Sequence, residues 1–398
     1  MKHLALLSYG HNQLVLPQAA ELARRFANYQ AVVPVYLKPA TARRLSRWFP
    51  SLTGPLARRT HPAIDPSRVC SYPRELLYQF AARLARRPFS YFASHDRMAA
   101  RITRDFAPPR MVVAVDTGAE ALFRAWSGKT LRVLDLTIAT PQYREKIYRA
   151  AEADPENLGI KFHYPGEWEL RRAAAELTLA DAILCPSQFV VDSCLDGGVP
   201  PAKLHLLPYG FDLSDMPKVA PAPFSGTGLQ MVFAGTFCHR KGSHLLLQAF
   251  ARYRTRDPQA VLHVFGRIID EPATWPEGVI RHGQVPLSTL TGHLQRMHLM
   301  VFPTFFEGSS LVVYQALALG LPVITTNNCG SVVDESCGQI LSEVSARAVE
   351  SALETVRLEP ARLTAWRQGA AVRANGFTWT AYGDHLAAIL RRLDPALA

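Results

Sequence analysis

Short apolar runs alternate along the chain with longer segments of helical periodicity. Near the start, an apolar run, a tight turn around Gly10, a helix and a second apolar run follow one another. This β–α–β order predicts an α/β protein with a parallel sheet covered by helices on both faces. In the first half we predict strands at His3–Ser8, Ala31–Leu37, Met111–Val115, Leu131–Leu136 and Ala182–Cys185, and helices at Pro17–Tyr29, Glu167–Leu179 and Ser187–Cys194, with Ser187 as an N-cap.

The same pattern restarts after a proline-rich stretch at 217–228, which predicts a linker. The second half contains predicted strands at Met231–Ala234, Ala260–Phe265, Gly278–His282, Leu299–Phe302 and Pro322–Thr325, and predicted helices at Ser243–Tyr253, Leu287–Met297 and Leu311–Leu319. Two successive α/β halves indicate two domains. Because ligands bind beyond the carboxyl ends of parallel strands, we expect the site in a cleft between the two domains.

Composition excludes several classes of protein. The 398 residues are 48% apolar and 19% charged, which is enough to bury a full core and excludes a disordered chain. The six cysteines form no C-x-x-C pair and no zinc-type spacing, so we expect a reduced, cytoplasmic protein. The apolar stretch at the N-terminus is too short for a signal peptide, and no run of 18 apolar residues occurs.

Positive charge is concentrated at one end of the chain. The net charge is +11, but residues 1–110 hold 18 Lys and Arg against 5 Asp and Glu, a net of +13. We expect the Arg-rich segment 40–110 to be irregular and to meet an anionic membrane surface peripherally, at its inner face. Within it, Arg43, Arg44 and Arg47 lie beside Leu45, Trp48 and Phe49. There are two alternatives to membrane contact. The segment could be a solvated basic helix, or it could assist electrostatically in binding an acidic glycan.

Two segments of the second half carry candidate chemistry. In the first, a strand ends at Gly235, Arg240 and Lys241 follow, and Gly242 opens a helix. Cations beside a helix N-terminus can hold a phosphate. In the second, the segment 307–310 (Glu-Gly-Ser-Ser) precedes an apolar helix. From residue types alone, both segments could equally be ordinary surface loops with solvated charges.

Four ordered segments together resemble the retaining glycosyltransferase family 4, whose fold is GT-B. The matches are Gly235 to Lys241-Gly242, the turn 282–286 (HGQVP), the E-x7-E spacing from Glu307 to Gln315 with ALALGLPVI (316–324) after it, and the junction 179–212 that ends in PYGFD. Residues 377–390 also resemble the family's closing helix, which crosses back to the first domain. The resemblance implies an acceptor-binding domain at 1–207 plus about 380–398, and a nucleotide-sugar domain at 208–379.

The resemblance also implies a role for each matching residue. Lys241, with Arg240 nearby, would bind the diphosphate of the donor, and Glu307 would hold hydroxyls of its sugar. The backbone at Gly235, Thr236, Gly308, Ser309, Ser310 and Leu311 would contact the sugar and phosphates, Gln315 would hold the ribose, and Gly10 would face the transferred sugar. No cofactor or metal ion is implied, since the nucleoside-diphosphate sugar is a co-substrate and no D-x-D motif occurs. The acceptor would be a glycan, a lipid-linked sugar or a small molecule.

Three departures from the family pattern keep a second hypothesis open. Gln315 replaces the second Glu, Thr236 replaces a frequent Arg, and the segment after the strand Leu131–Leu136 has Thr137 and Thr140 but no His. A catalytically weak GT-B relative that acts as a partner or scaffold is therefore the alternative. A GT-B epimerase is a further enzymatic possibility, but such enzymes do not share the E-x7-E spacing. Nucleic-acid binding is disfavoured, because aromatic residues are not interleaved with the cations.

Overall fold

The computed structural model describes residues 4–10, 14–48, 56, 59–74, 91–212, 228–330 and 332–397. These residues form two parallel sheets, one in each half of the chain. The strands are β1 (Leu6–Tyr9), β2 (Tyr29–Val33), β3 (Val69–Ser71), β4 (Met111–Val115), β5 (Leu131–Asp135), β6 (Ala182–Cys185), β7 (Leu204–Leu206), β8 (Gln230–Ala234), β9 (Val261–Phe265), β10 (Val279–Gly283), β11 (Leu299–Phe302), β12 (Val323–Thr326) and β13 (Gly338–Leu341).

Helices cover these sheets. They are α1 (Val15–Arg25), α2 (Pro39–Trp48), α3 (Tyr91–Asp105), α4 (Glu120–Ala125), α5 (Pro141–Glu152), α6 (Glu167–Leu179), α7 (Gln188–Asp196), α8 (Ser243–Arg254), α9 (Leu287–Leu294), α10 (Leu311–Ala318), α11 (Ala346–Leu358), α12 (Ala361–Ala374) and α13 (Trp379–Leu393). The inner strands read as apolar runs because both of their faces are buried, as in β4 and β11. The predicted α/β class is confirmed.

Each sheet has one point where the strand order reverses. The orders are β3-β2-β1-β4-β5-β6-β7 and β10-β9-β8-β11-β12-β13, so β1 and β8 lie at the reversals. Gly10 follows β1 and Gly235 follows β8. A crevice opens beyond the carboxyl ends of the strands at such a point, and it is the usual ligand site of an open parallel sheet.

The prediction of an irregular segment at 40–110 is wrong for its described part. It contains α2, β3 and α3. The basic side chains of α2 face solvent and only Ala42 is buried, so the segment lacks the broad apolar stripe that marks most helices. The edge strand β3 has three half-buried residues and gives no apolar run. A helix also begins at Pro141, so the loop after β5 is confined to residues 136–140.

The last helix returns to the first half, as expected. The N–H of Phe211 donates to the carbonyl of Phe377 at 2.8 Å, and α13 then packs on α1. There, Gln18 Nε2 donates to Tyr382 Oη at 2.8 Å, and Arg25 pairs with Asp384 at 2.8 Å. The linker predicted at 217–228 lies outside the described residues except for Gly228, and the domain boundaries stay a prediction.

The two halves also touch directly. The turn Pro155–Asn157 of the first half reaches α8, where Arg252 Nη1 lies 3.2 Å from Glu156 Oε1 and His244 Nε2 lies 2.7 Å from Asn157 Oδ1. On the other side of the interface, Ser187 Oγ donates to the carbonyl of Gly308 at 2.7 Å. Ser187 also caps α7, as predicted. The crevices of the two sheets are therefore brought face to face.

Candidate active site

Lys241, Arg240 and Glu307 come together as predicted. Lys241 Nζ lies 3.3 Å from Glu307 Oε1, and Arg240 Nη1 lies 2.8 Å from the same oxygen. Arg240 Nη1 also donates to the carbonyl of Phe306 at 2.8 Å. Both cations belong to one 3₁₀ turn, and Gly242 with a φ of 66° ends this turn and opens α8. Arg240 is thus held against the backbone, whereas Lys241 points toward Gly235.

Gly235 leaves room for the ammonium group of Lys241. Its φ of 131° is a conformation that residues with a side chain rarely adopt. A Cβ placed there would lie 3.1 Å from Lys241 Nζ. The backbone of Gly235, which has no side chain, therefore lies directly beside the ammonium group of Lys241 at the end of β8. This arrangement is suited to binding a phosphate.

The segment from Glu307 to Ser310 is fixed from both sides. The N–H of Glu307 donates to the carbonyl of Asn328 at 2.7 Å. A Cβ on Gly308 would lie 1.7 Å from the carbonyl oxygen of Thr137, in the first half of the chain. The sequence favoured Gly308 for close approach of a ligand, but the structure shows the first half of the protein at that place instead. Gly308 is needed because the two halves meet there.

The helix α10 begins at the end of this segment and presents its N-terminus. Ser310 is its N-cap residue but makes no side-chain cap, and no acidic residue occupies the first turn. Ser309 Oγ lies 2.8 Å from Tyr314 Oη, so this hydroxyl is used within the protein. The backbone amides at the start of α10, and the partial positive charge of the helix, are the groups available to an anion.

One cleft of about 390 Å³ collects most of the predicted residues. The second half contributes seven of them: Gly235, Lys241, Glu307, Gly308, Ser309, Ser310 and Leu311. The first half contributes Leu14, Thr137 and Ile138, and the junction turn PYGFD contributes Tyr209. The sequence assigned none of these four to the donor site. The cleft therefore lies between the halves, where the fold predicts a ligand.

The remaining predicted residues lie near this cleft but do not line it. Arg240 lies behind Glu307. Gln315 is half-buried one turn further along α10. Gly10 is buried at the end of β1, where its N–H donates to the carbonyl of Val32 at 3.3 Å, and residues 11–13 after it lie outside the described part of the chain.

A second pocket of about 510 Å³ shares Gly235 with the cleft. Thr236 lines it, together with Gly266, Arg267, Gln284 and Val285 from the loops after β9 and β10. A Cβ on Gly266 would lie 2.0 Å from the carbonyl oxygen of Gly235, so this position requires glycine. Sequence reasoning missed Gly266 and Arg267, although a glycine directly after a buried strand is the signal that could have found them.

Tyr209 is the most unusual residue of the cleft. It is 95% buried, since only 5% of its surface is exposed, and its hydroxyl has no hydrogen-bond partner among the described residues. Burial raises the pKa of this hydroxyl, so it stays a hydrogen-bond donor. Tyr209 belongs to the PYGFD turn, which the sequence marked only as part of the junction between domains. An unsatisfied buried hydroxyl costs about 1–3 kcal/mol, which a bound oxygen would recover.

Asp116 is paired with Thr137, which lies in the segment after β5 where the resembled family's histidine was expected. It follows β4, and Thr137 Oγ1 donates to its Oδ1 at 2.8 Å. Burial raises the pKa of Asp116 to about 7. The first half therefore offers a carboxyl–hydroxyl pair beside the cleft, which sequence reasoning missed because the two residues are 21 positions apart.

These features define the class of the protein first by its fold. Two parallel sheets facing across a cleft, with a final helix that returns to the first half, form the GT-B fold. Sucrose-phosphate synthase from Thermosynechococcus elongatus superposes with a TM-score of 0.65 at 16% identity, over 98% of this chain and 99% of that one. HepE from Anabaena, in complex with UDP and glucose, gives 0.61 at 14%, over 98% and 100%.

The family match covers a smaller part of the chain than the fold match. Residues 228–357 match the family model described as glycosyl transferases group 1, which confirms for this segment the resemblance to a glycosyltransferase of that group. A D-inositol 3-phosphate glycosyltransferase from an Arthrobacter species is 26% identical over 197 residues, covering 44% of this chain and 47% of that protein. The chain spans about half the length of the curated relatives it matches.

Proposed function

We propose that this protein is a retaining, metal-independent glycosyltransferase of family 4. It transfers a sugar from a nucleoside-diphosphate sugar to a hydroxyl of a glycan, lipid-linked or small-molecule acceptor. The observation that carries the proposal is the convergence of Lys241, Glu307 and the uncapped N-terminus of α10 on one cleft between the halves. The group 1 match at 228–357 supports the same reaction class.

The diphosphate of the donor fits at Lys241. Breaking the bond between C1 of the sugar and the diphosphate leaves negative charge on the β-phosphate. Lys241 Nζ and the first amides of α10 line the same cleft and would meet that charge without rearrangement. Arg240 remains with Glu307 and the carbonyl of Phe306, so it orients Glu307 rather than the phosphate. The nucleoside would then extend past Gly235 into the second pocket.

The sugar fits between Glu307 and the first half. The carboxylate of Glu307 can accept hydrogen bonds from hydroxyls of the ring, and Thr137 and Tyr209 close the opposite wall. Closure of the two halves over the sugar excludes water, which strengthens each of these contacts.

Retention follows from attack on the face that the diphosphate leaves. The acceptor hydroxyl forms the new C1–O bond as the C1–phosphate bond breaks, and its proton passes to the departing β-phosphate oxygen. The transition state resembles an oxocarbenium ion. A covalent sugar–enzyme adduct, seen by intact-mass spectrometry after incubation with donor, would contradict this path.

A nucleotide panel tests the donor assignment. We expect one of UDP, GDP, ADP and CMP, with its sugars, to raise the melting temperature of the protein in a concentration-dependent way, since a ligand that binds only the folded state stabilises it. The same nucleotide sugar should then give a product whose anomeric configuration, read by NMR, matches that of the donor. Nucleotide binding with no transfer to any acceptor would favour the scaffold hypothesis.

Membrane contact through α2 is the second part of the proposal. Trp48 is 76% exposed, and Arg43, Arg44 and Arg47 are exposed on the same helix, whereas Phe49 lies outside the described residues. Aromatic and basic side chains together favour the surface of an anionic leaflet. Among the described helices none is long and apolar enough to cross a membrane. Because of the exposed aromatic and basic side chains of α2, we place the protein at the inner face of the membrane as a peripheral protein.

We expect the protein to pellet with anionic vesicles at low salt and to be released at high salt. Trp48→Ser should reduce the bound fraction. Val372→Ser, which removes another apolar side chain that is 73% exposed but lies in the second half, should leave it unchanged. Equal pelleting with neutral and anionic vesicles would refute the electrostatic part of the proposal.

A further inference from the structure

We infer that the acceptor of the proposed reaction is a single uncharged sugar or polyol ring, held in a pocket of the first half. This inference rests on the proposed function and names the class of its second substrate. The pocket has a volume of about 180 Å³ and lies beyond the carboxyl ends of β4 and β5, under α6. It shares Thr137 and Ile138 with the cleft that holds Lys241 and Glu307, so the two cavities adjoin at this segment.

The charges of the pocket are already paired within the protein. Arg144 of α5 forms an ion pair with Glu169 of α6. Arg172 lies 2.8 Å from Asp96 and 3.5 Å from Glu176. A phosphate or carboxylate on the acceptor would have to compete with these carboxylates, of which Glu176 is buried together with Arg172. The pocket therefore disfavours an anionic acceptor.

The backbone amides just before α4 and at its start are also occupied. The backbone N–H groups of Thr117, Ala119 and Glu120 donate to the carboxylate of Glu176 at 2.8, 2.9 and 3.1 Å. Thr117 has a φ of 65° and is the one non-glycine residue in the described ranges with a positive φ. Such strain persists only where the surrounding structure enforces it, and it often marks a functional site. Here the carboxylate of Glu176 takes the position that an external anion would need.

The polar groups that remain are suited to hydroxyls. Asp116 accepts from Thr137 and can accept further hydrogen bonds, the hydroxyl of Thr137 can still accept one, and that of Thr117 can donate and accept. The Nε of Arg144 is a buried donor without a partner among the described residues. A mixture of donors and acceptors with no unpaired net charge matches a ring of hydroxyl groups. The volume of about 180 Å³ is below the roughly 300–1,000 Å³ of pockets that take drug-sized ligands, so it suits a single ring.

The relative with an inositol phosphate in its name provides a contrast. D-inositol 3-phosphate carries an anionic group, and that protein is 26% identical over less than half of this chain. The pocket described here offers such a group no unpaired cation. The two proteins would then differ in the class of acceptor.

Two neighbouring alanines of α6 supply a matched test. Ala173 lines the pocket, whereas Ala174 is exposed and does not. Ala173→Leu fills part of the pocket without touching the cleft, and Ala174→Leu adds the same atoms outside it. A second variant, Asp116→Asn, covers the case in which Ala173→Leu fails to fold. Asn keeps a side-chain oxygen that can accept the hydrogen bond from Thr137, so it should be tolerated.

The experiment measures binding and transfer for paired compounds: glucose and glucose 6-phosphate, N-acetylglucosamine and its 6-phosphate, and myo-inositol and its 1-phosphate. Binding is read by saturation-transfer NMR in the presence of the nucleotide found in the panel. We expect neutral members to bind and react. Ala173→Leu should lower kcat/KM for the acceptor by about tenfold or more, with nucleotide affinity and hydrolysis of the donor unchanged. Ala174→Leu should behave as the wild type. Asp116→Asn should weaken binding of the acceptor more than binding of the donor.

Several results would overturn the inference. They are a preference for phosphorylated members, absence of binding by every neutral member, or equal effects of Ala173→Leu and Ala174→Leu. Failure of the proposed function looks different, because the wild type would then neither bind a nucleotide nor hydrolyse a nucleotide sugar.

Discussion

Lys241→Ala is expected to lower kcat/KM for the nucleotide sugar by about 10²-fold or more, the scale of losing one preorganised group that stabilises developing charge. Gly235 lines both the cleft and the second pocket, and Lys241 Nζ lies next to it. Without the ammonium group, only the N-terminus of α10 would stabilise the charge of the diphosphate in the cleft. The fold should tolerate the change, because Arg240 still lies 2.8 Å from Glu307 and keeps that carboxylate paired.

Steady-state kinetics with the donor from the nucleotide panel checks this expectation, and the thermal shift by the nucleotide should shrink in parallel. Lys129→Ala is the matched control, since Lys129 is an exposed lysine that lines neither the cleft nor the second pocket. A kcat/KM within threefold of the wild type would mean that the diphosphate binds elsewhere.

The second half of the fold could be predicted from the sequence because its signals are local. The predicted strand Ala260–Phe265 is observed as Val261–Phe265, and Gly235 follows β8 as expected. Each of these buried strands is a short apolar run closed by a glycine or a polar loop, so its position can be read without knowledge of its neighbours. The residues that we propose to bind the donor follow directly from the ends of such strands.

The first half was harder to predict, because its signals are weak or distant. The helix α2 buries only Ala42, and the strand β3 is three half-buried residues at a sheet edge, so neither shows clear periodicity. The pairing of Thr137 with Asp116, and the place of Tyr209 in the cleft, depend on how loops from separate strands converge. The contact between Gly308 and Thr137 joins residues from the two halves of the chain. No local pattern encodes these contacts.

Gly308→Ala is expected to reduce kcat by about 10²-fold, since misplacing reacting groups by about 1 Å can have an effect of that size. The added Cβ would lie 1.7 Å from the carbonyl oxygen of Thr137 and 2.7 Å from its carbonyl carbon. Both are backbone atoms and cannot turn aside as a side chain can, so the two halves must separate. Separation moves Glu307 away from Thr137 and Ile138 and admits water to the cleft.

The variant should keep its affinity for the free nucleotide, because Gly235 and Lys241 both belong to the second half. Loss of turnover with an unchanged thermal shift by the nucleotide would therefore distinguish failed closure from failed binding. Gly292→Ala is the control: a Cβ there meets nothing within 4 Å, and alanine in a helix adds up to about 1 kcal/mol of stability. If Gly308→Ala turned over at the wild-type rate, the contact of Gly308 with Thr137 would not belong to the catalytic conformation, and the sugar would have to react in a more open cleft.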